Sequence, residues 1–98
     1  MDMRMNREAG KLTVFLNGRL DTNTTPQMEV QLESELSGIT ELVFNLKELT
    51  YISSLGLRAL FRFKREMDER GKMVVCEVRQ EVLGIFELTG SVDVLNLE

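Results

Sequence analysis

Histidine is absent from this chain of 98 residues, and cysteine occurs only once, at position 76. These gaps exclude Ser/His/Asp and Cys/His nucleophilic sites, His-ligated metals and zinc clusters, and most enzyme classes go with them. Cys76 lies in the apolar run Lys72-Met73-Val74-Val75-Cys76-Glu77-Val78 with no second cysteine to pair with, which reads as a buried, reduced thiol. Positive charge is scarce too: 12 Lys and Arg against 16 Asp and Glu give a net charge of -4, the wrong sign for neutralising phosphates, so no nucleic-acid partner is expected. No apolar run approaches the roughly 18 to 20 residues of a membrane span. The opening Met1-Asp2-Met3-Arg4-Met5 alternates instead of forming a signal-peptide core, so a cytoplasmic protein without membrane attachment is expected. A Gly-rich phosphate loop is also missing, since Gly18, Gly56, Gly71, Gly84 and Gly90 stand isolated, without Walker or dinucleotide spacing. No cofactor and no metal are expected.

With 43% hydrophobic and 29% charged residues, the chain has the make-up of one small globular domain over residues 1–98. It is expected to fold as a monomer without metal or disulfide. Met1, Met3 and Met5 alternate with polar residues, and Leu12, Val14 and Leu16 alternate again after Ala9-Gly10, which predicts a hairpin. A polar stretch from Asn17 to Thr25 follows. Thr25-Pro26 is a helix start, with Thr as the cap and Pro in the first turn. Met28, Leu32 and Leu36 then step along one face, with Val30 beside them, to a stop at Gly38.

Glu41-Leu42-Val43-Phe44-Asn45-Leu46 reads as a central strand buried on both faces, and Lys47 to Thr50 as a loop. From Leu55, the residues Leu57, Leu60, Phe61 and Met67 recur at helical spacing up to Gly71, and Lys64 to Arg70 reads as a solvated helix end. Lys72 to Val78 is the next strand. Val82, Ile85 and Phe86 mark a shorter helix interrupted at Gly84, and Val92, Val94 and Leu95 a last short strand. Alternating strands and helices after a hairpin predict a compact α/β domain whose mixed, mostly parallel sheet is covered by helices.

In such folds the functional edge lies where strands end and helices begin. Two polar segments qualify, Gly18 to Thr25 and Thr50 to Ser54, and they share one end of the domain if their parent strands are neighbours. Ser53 and Ser54 have two readings. One of them can cap the long helix, or one can be a phosphoacceptor, because a phosphate at a helix start meets N–H groups that favour an anion. A serine nucleophile would need a lysine base, and neither Lys47 nor Lys64 sits in a recognisable motif.

Several segments in order carry a family resemblance: Gly18-Arg19-Leu20-Asp21 before a polar stretch and a helix, Leu42-Val43-Phe44-Asn45-Leu46 before Tyr51-Ile52-Ser53-Ser54-Leu55-Gly56-Leu57, and Met73-Val74-Val75-Cys76 after Gly71. Together they resemble the STAS domain, and more closely the single-domain bacterial anti-sigma factor antagonists. The resemblance implies a non-enzymatic protein that, when unphosphorylated, binds an anti-sigma factor that is also a serine kinase, and so frees the sigma factor. Phosphorylation reverses the binding, and a PPM-type serine phosphatase restores it. It also implies that Ser54, two residues before the motif glycine, is the phosphoacceptor, and that Asp21 matches the acidic residue of the other loop. Where several antagonists have Asp before the phosphoserine, this chain has Ser53. The expected partner surface comprises Asp21, Thr22, Asn23, Ser53, Ser54, Leu55 and Arg58, with Leu55 as its apolar centre. The alternative within the same family is an accessory or scaffold subunit, in lipid transport or stress signalling, without a phosphoswitch.

Overall fold

The computed structural model describes all residues, Met1–Glu98. Strands β1 (Asp2–Glu8) and β2 (Lys11–Leu20) form the antiparallel hairpin about the turn at Ala9-Gly10, with Glu8 opposite Lys11. Helix α1 (Thr25–Glu33), strand β3 (Glu41–Ile52), helix α2 (Ser54–Asp68), strand β4 (Lys72–Cys76) and helix α3 (Gln80–Leu88) follow. The sheet order is β1-β2-β3-β4, with both later pairings parallel, so the expected mixed, mostly parallel α/β sheet is present.

Alternation along the strands sorts the two sheet faces. Leu12, Val14, Leu16, Leu42, Phe44, Leu46, Met73 and Val75 share a single core with Met28 and Leu32 of α1, Leu57, Leu60, Phe63 and Met67 of α2, and Val82 and Phe86 of α3. Phe44 and Phe63 meet at its centre with ring centroids 6.2 Å apart. The opposite face carries Arg4, Thr13, Phe15, Asn45 and Cys76 and has no helix over it. Val43 is nevertheless buried, because Thr13 and Val74 flank it in register. The Cys76 thiol on this face is half-buried, and burial raises its pKa, helped by the charges of Glu77 and Glu98.

Several sequence expectations are corrected. Lys47 to Thr50 is strand, not loop, since β3 runs on to Ile52 with Glu48 opposite Asn17 and Leu49 opposite Gly18. A register shift between Phe15 and Asn17 absorbs an extra residue there, and the Asn45 carboxamide oxygen accepts from the Lys47 N–H at 3.0 Å. β2 likewise extends through Gly18 and Arg19 to Leu20. Helix α1 ends at Glu33 instead of reaching Gly38, and Val30 is solvent-exposed. The chain after it is held by Arg7, which donates to the Glu35 and Ser37 carbonyls, and by Arg70, which donates to the Leu36 carbonyl at 2.7 Å. Arg70 is therefore more than a solvated end. β4 stops at Cys76, and α3 runs unbroken through Gly84. Val92 to Leu95 form turns instead of a strand, and only Leu97, two residues later, bridges to Val75 beside β4.

Candidate functional site

Because β2 and β3 are parallel neighbours, their C-terminal ends coincide. Leu20 is opposite Ile52, and the Ser53 N–H donates to the Leu20 carbonyl at 2.9 Å. The segments after these two strands therefore meet at one edge of the domain.

The α2 start is built on Ser53. With extended backbone (φ -88°, ψ 172°) it is the N-cap, and its hydroxyl accepts from the Gly56 N–H at 3.2 Å. Its carbonyl accepts from the Leu57 N–H at 2.9 Å. A side chain at position 56 would stand 2.8 Å from the Leu20 carbonyl oxygen and 2.9 Å from Leu20 Cγ, so glycine is what lets the helix begin against the end of β2. The cap assignment left open between the two serines is thus resolved. Ser53 is half-buried and engaged, while Ser54, the first helical residue, is exposed and makes no side-chain hydrogen bond.

The second loop is organised by Asp21. One of its carboxylate oxygens accepts from the Asn23 and Thr24 N–H groups, each at 3.0 Å. In return, its own N–H donates to the Thr24 hydroxyl at 2.9 Å, and that hydroxyl donates to the Arg19 carbonyl at 2.7 Å. The N-cap position of α1 is Thr24, not Thr25, and its hydroxyl is spent on the loop, with no side-chain cap hydrogen bond to the helix. Thr25 is fully buried within the first turn, with its hydroxyl unpartnered, and Pro26 follows it. Thr24 is the loop residue that the sequence reading passed over. The signal for it was the Asp21-Thr22-Asn23-Thr24 spacing, in which two short polar side chains can each bond the other's backbone N–H. Arg19 stands 4.0 Å from the second Asp21 carboxylate oxygen and stacks on the Tyr51 ring, 4.2 Å from its centroid.

The backbone N–H groups of Thr24 and Asn23 hold the Asp21 carboxyl below the ordinary aspartate range, with smaller help from the Thr24 side chain and Arg19. A depressed folded-state pKa stabilises the folded loop above the unfolded value, and that stabilisation is lost as pH falls through the folded pKa. An NMR titration should show the Asp21 carboxyl titrating below 3.8, with the Asn23 and Thr24 amide shifts moving together with it. A carboxyl titrating above 3.8 would contradict this account of the loop.

Of the other expected surface residues, Thr22, Asn23 and Arg58 are exposed, and Leu55 is half-buried and outside the core cluster. All seven lie on the two segments that meet at this edge. No three His, Cys, Asp or Glu side chains gather as a metal-ligand group, and no helix is long and apolar enough to cross a membrane. The edge offers hydroxyls, an ionised carboxylate, the Arg58 guanidinium without an ion pair and a half-buried leucine.

Comparison with known proteins gives the family of the chain. The chain is 30% identical over 92 residues to BtrV of Bordetella bronchiseptica, provisionally named an anti-sigma factor antagonist, with 92% of this chain and 79% of that protein covered. It is 28% identical over 93 residues to the anti-sigma F factor antagonist of Paenibacillus polymyxa, covering 92% and 80% of the two chains. The fold matches the anti-sigma factor antagonist SpoIIAA in its unphosphorylated form with a TM-score of 0.77 at 14% identity, over 99% of this chain and 87% of that one. The phosphorylated form of the Bacillus protein matches with a TM-score of 0.76 at 15% identity, over 99% and 91%. The STAS domain model spans residues 2–98, so the chain belongs to the STAS domain family.

Proposed function

We propose that this protein is an anti-sigma factor antagonist. In its unphosphorylated form it binds an anti-sigma factor that is also a serine kinase and thereby frees the sigma factor. Phosphorylation of Ser54 switches the binding off, and a PPM-type serine phosphatase switches it back on. The chain itself catalyses nothing. In the kinase step the Ser54 Oγ forms the new bond to the γ-phosphorus of ATP, the bond from that phosphorus to the bridging oxygen breaks, ADP leaves and the hydroxyl proton is released.

The observation that carries this reading is the division of labour between the adjacent serines. Ser53 caps α2 and Ser54 is free at the surface, so a kinase can take the Ser54 hydroxyl without dismantling the helix start. The names of the relatives support the choice of partner, and SpoIIAA, known in both phosphorylation states with near-equal likeness to this chain, supports a switch that preserves the fold. Asp21, Thr22, Asn23, Ser53, Ser54, Leu55 and Arg58 form the partner surface in this proposal, with Leu55 the apolar group that a partner would cover.

The test is affinity capture from the native host with mass spectrometry, followed by phosphorylation of the wild type and two variants by the captured kinase. Ser53→Ala should still incorporate phosphate, and Ser54→Ala should not. Capture without an anti-sigma factor would overturn the functional reading, whereas phosphate on Ser54→Ala but not on Ser53→Ala would move the acceptor by one residue.

A further inference from the structure

We infer that Arg58 is the internal partner of a phosphate on Ser54, so that phosphorylation both adds charge to the contact surface and removes a cation from it. This rests on Ser54 being the modified residue. Ser54 and Arg58 are both exposed residues of α2, four positions apart, which places their Cβ atoms about 5 to 6 Å apart on one helix face. Helical side chains lean toward the N-terminus, so Arg58 reaches back over the turn that Ser54 begins. An anion four residues before a cation is also the favourable order of the two, since it agrees with the helix dipole.

Arg58 is free for this task. One turn further on, Arg62 is held by Glu29 at 3.0 Å and by Glu33 at 2.6 Å, while Arg58 makes no ion pair or side-chain hydrogen bond. The first turn of α2 holds no acidic residue to compete for it. In the adjoining loop, Arg19 and the Asp21 carboxylate already face each other, and the carboxylate is occupied by the Asn23 and Thr24 N–H groups. A phosphoserine brings about -1.5 to -2 charge and three acceptor oxygens, which suits the forked guanidinium. One guanidinium cannot neutralise that charge completely. The modified surface therefore stays negative and loses the fork it could offer to an acidic residue of the partner.

The experiment uses the full chain with phosphoserine installed at position 54 during translation, which makes it independent of any kinase. The second pKa of the phosphate is followed by ³¹P NMR in the wild type, Arg58→Ala, Arg58→Lys and Arg65→Ala, with circular dichroism as the check on folding. Pairing predicts a pKa about 0.2 to 0.4 unit higher in Arg58→Ala than in the wild type. Arg58→Lys should fall between them, and Arg65→Ala, which alters another exposed arginine of α2, should titrate like the wild type. Equal pKa values in Arg58→Ala and Arg65→Ala would overturn the inference. Failure of the host kinase to modify Ser54 would overturn the functional proposal while leaving this titration unchanged, so the two failures are distinguishable.

Discussion

Gly71→Ala is expected to destabilise the protein by about 3 kcal/mol or more, the upper end for forcing a methyl group into filled space. Gly71 follows α2 at the entry to β4, and a Cβ there would lie 1.8 Å from the Thr40 carbonyl oxygen and 2.7 Å from the Thr40 carbonyl carbon. These are backbone atoms, so no rotamer change can make room. The same carbonyl accepts from the Lys72 N–H at 2.9 Å, while the Thr40 and Glu41 N–H groups donate to the Gly10 carbonyl at 2.9 and 3.1 Å. Displacing Thr40 therefore disturbs the point where β3 and β4 both enter the sheet. Denaturant unfolding should show a lowered midpoint, and thermal unfolding a fall of more than about 10 °C for a domain of this size. Gly84 supplies the control, because a Cβ there meets nothing within 4 Å and the residue lies inside α3. Gly84→Ala should stabilise by about 0.5 to 1 kcal/mol through helix propensity. A Gly71→Ala protein as stable as the wild type would show that the β3–β4 entry is not closely packed.

Ser54→Asp is expected to lose more than about a hundredfold in affinity for the anti-sigma factor while the isolated domain keeps its fold. The fold should persist because Ser54 is exposed, its hydroxyl holds nothing, and a carboxylate at the first position of α2 meets unpaired N–H groups and the positive end of the helix dipole. Binding is a different matter. The partner would have to cover the new charge close to the Asp21 carboxylate, which, like any aspartate with a pKa at or below the ordinary range, is ionised at neutral pH. Even with Arg58 one turn away, taking the new carboxylate out of water beside Asp21 costs several kcal/mol, and each 1.4 kcal/mol is about tenfold in affinity. Calorimetric titration of wild type, Ser54→Ala and Ser54→Asp against the anti-sigma factor measures the difference, with circular dichroism as the check on the fold. Ser54→Ala should bind like the unmodified protein. Wild-type affinity in Ser54→Asp would place the partner surface elsewhere on the domain.

The residues alone determined a good deal of this protein. Period-two alternation in Met1 to Leu16 and helical spacing in Leu57 to Met67 mark the hairpin and α2, because each pattern records which side of a local element meets the core. The Ser53-Ser54-Leu55-Gly56-Leu57 segment and the loop after Leu20 mark the two halves of the candidate site for the same reason: polar residues between apolar runs are local signals. Tertiary structure decided what depends on residues distant in sequence. Lys47, Glu48 and Thr50 look like a loop because they are polar, yet they extend β3, since β2 lies alongside and pairs with Glu48, Leu49, Tyr51 and Ile52. Val92 to Leu95 look like a strand because they are apolar, yet they turn, and only Leu97 reaches the edge of β4. The two serines are chemically identical, and what separates them is the Leu20 carbonyl, which takes the Ser53 N–H and fixes it as the cap, leaving Ser54 to the solvent. Side-chain pattern reports burial within a single element, whereas backbone pairing across the sheet joins residues some thirty positions apart, and no local pattern encodes it.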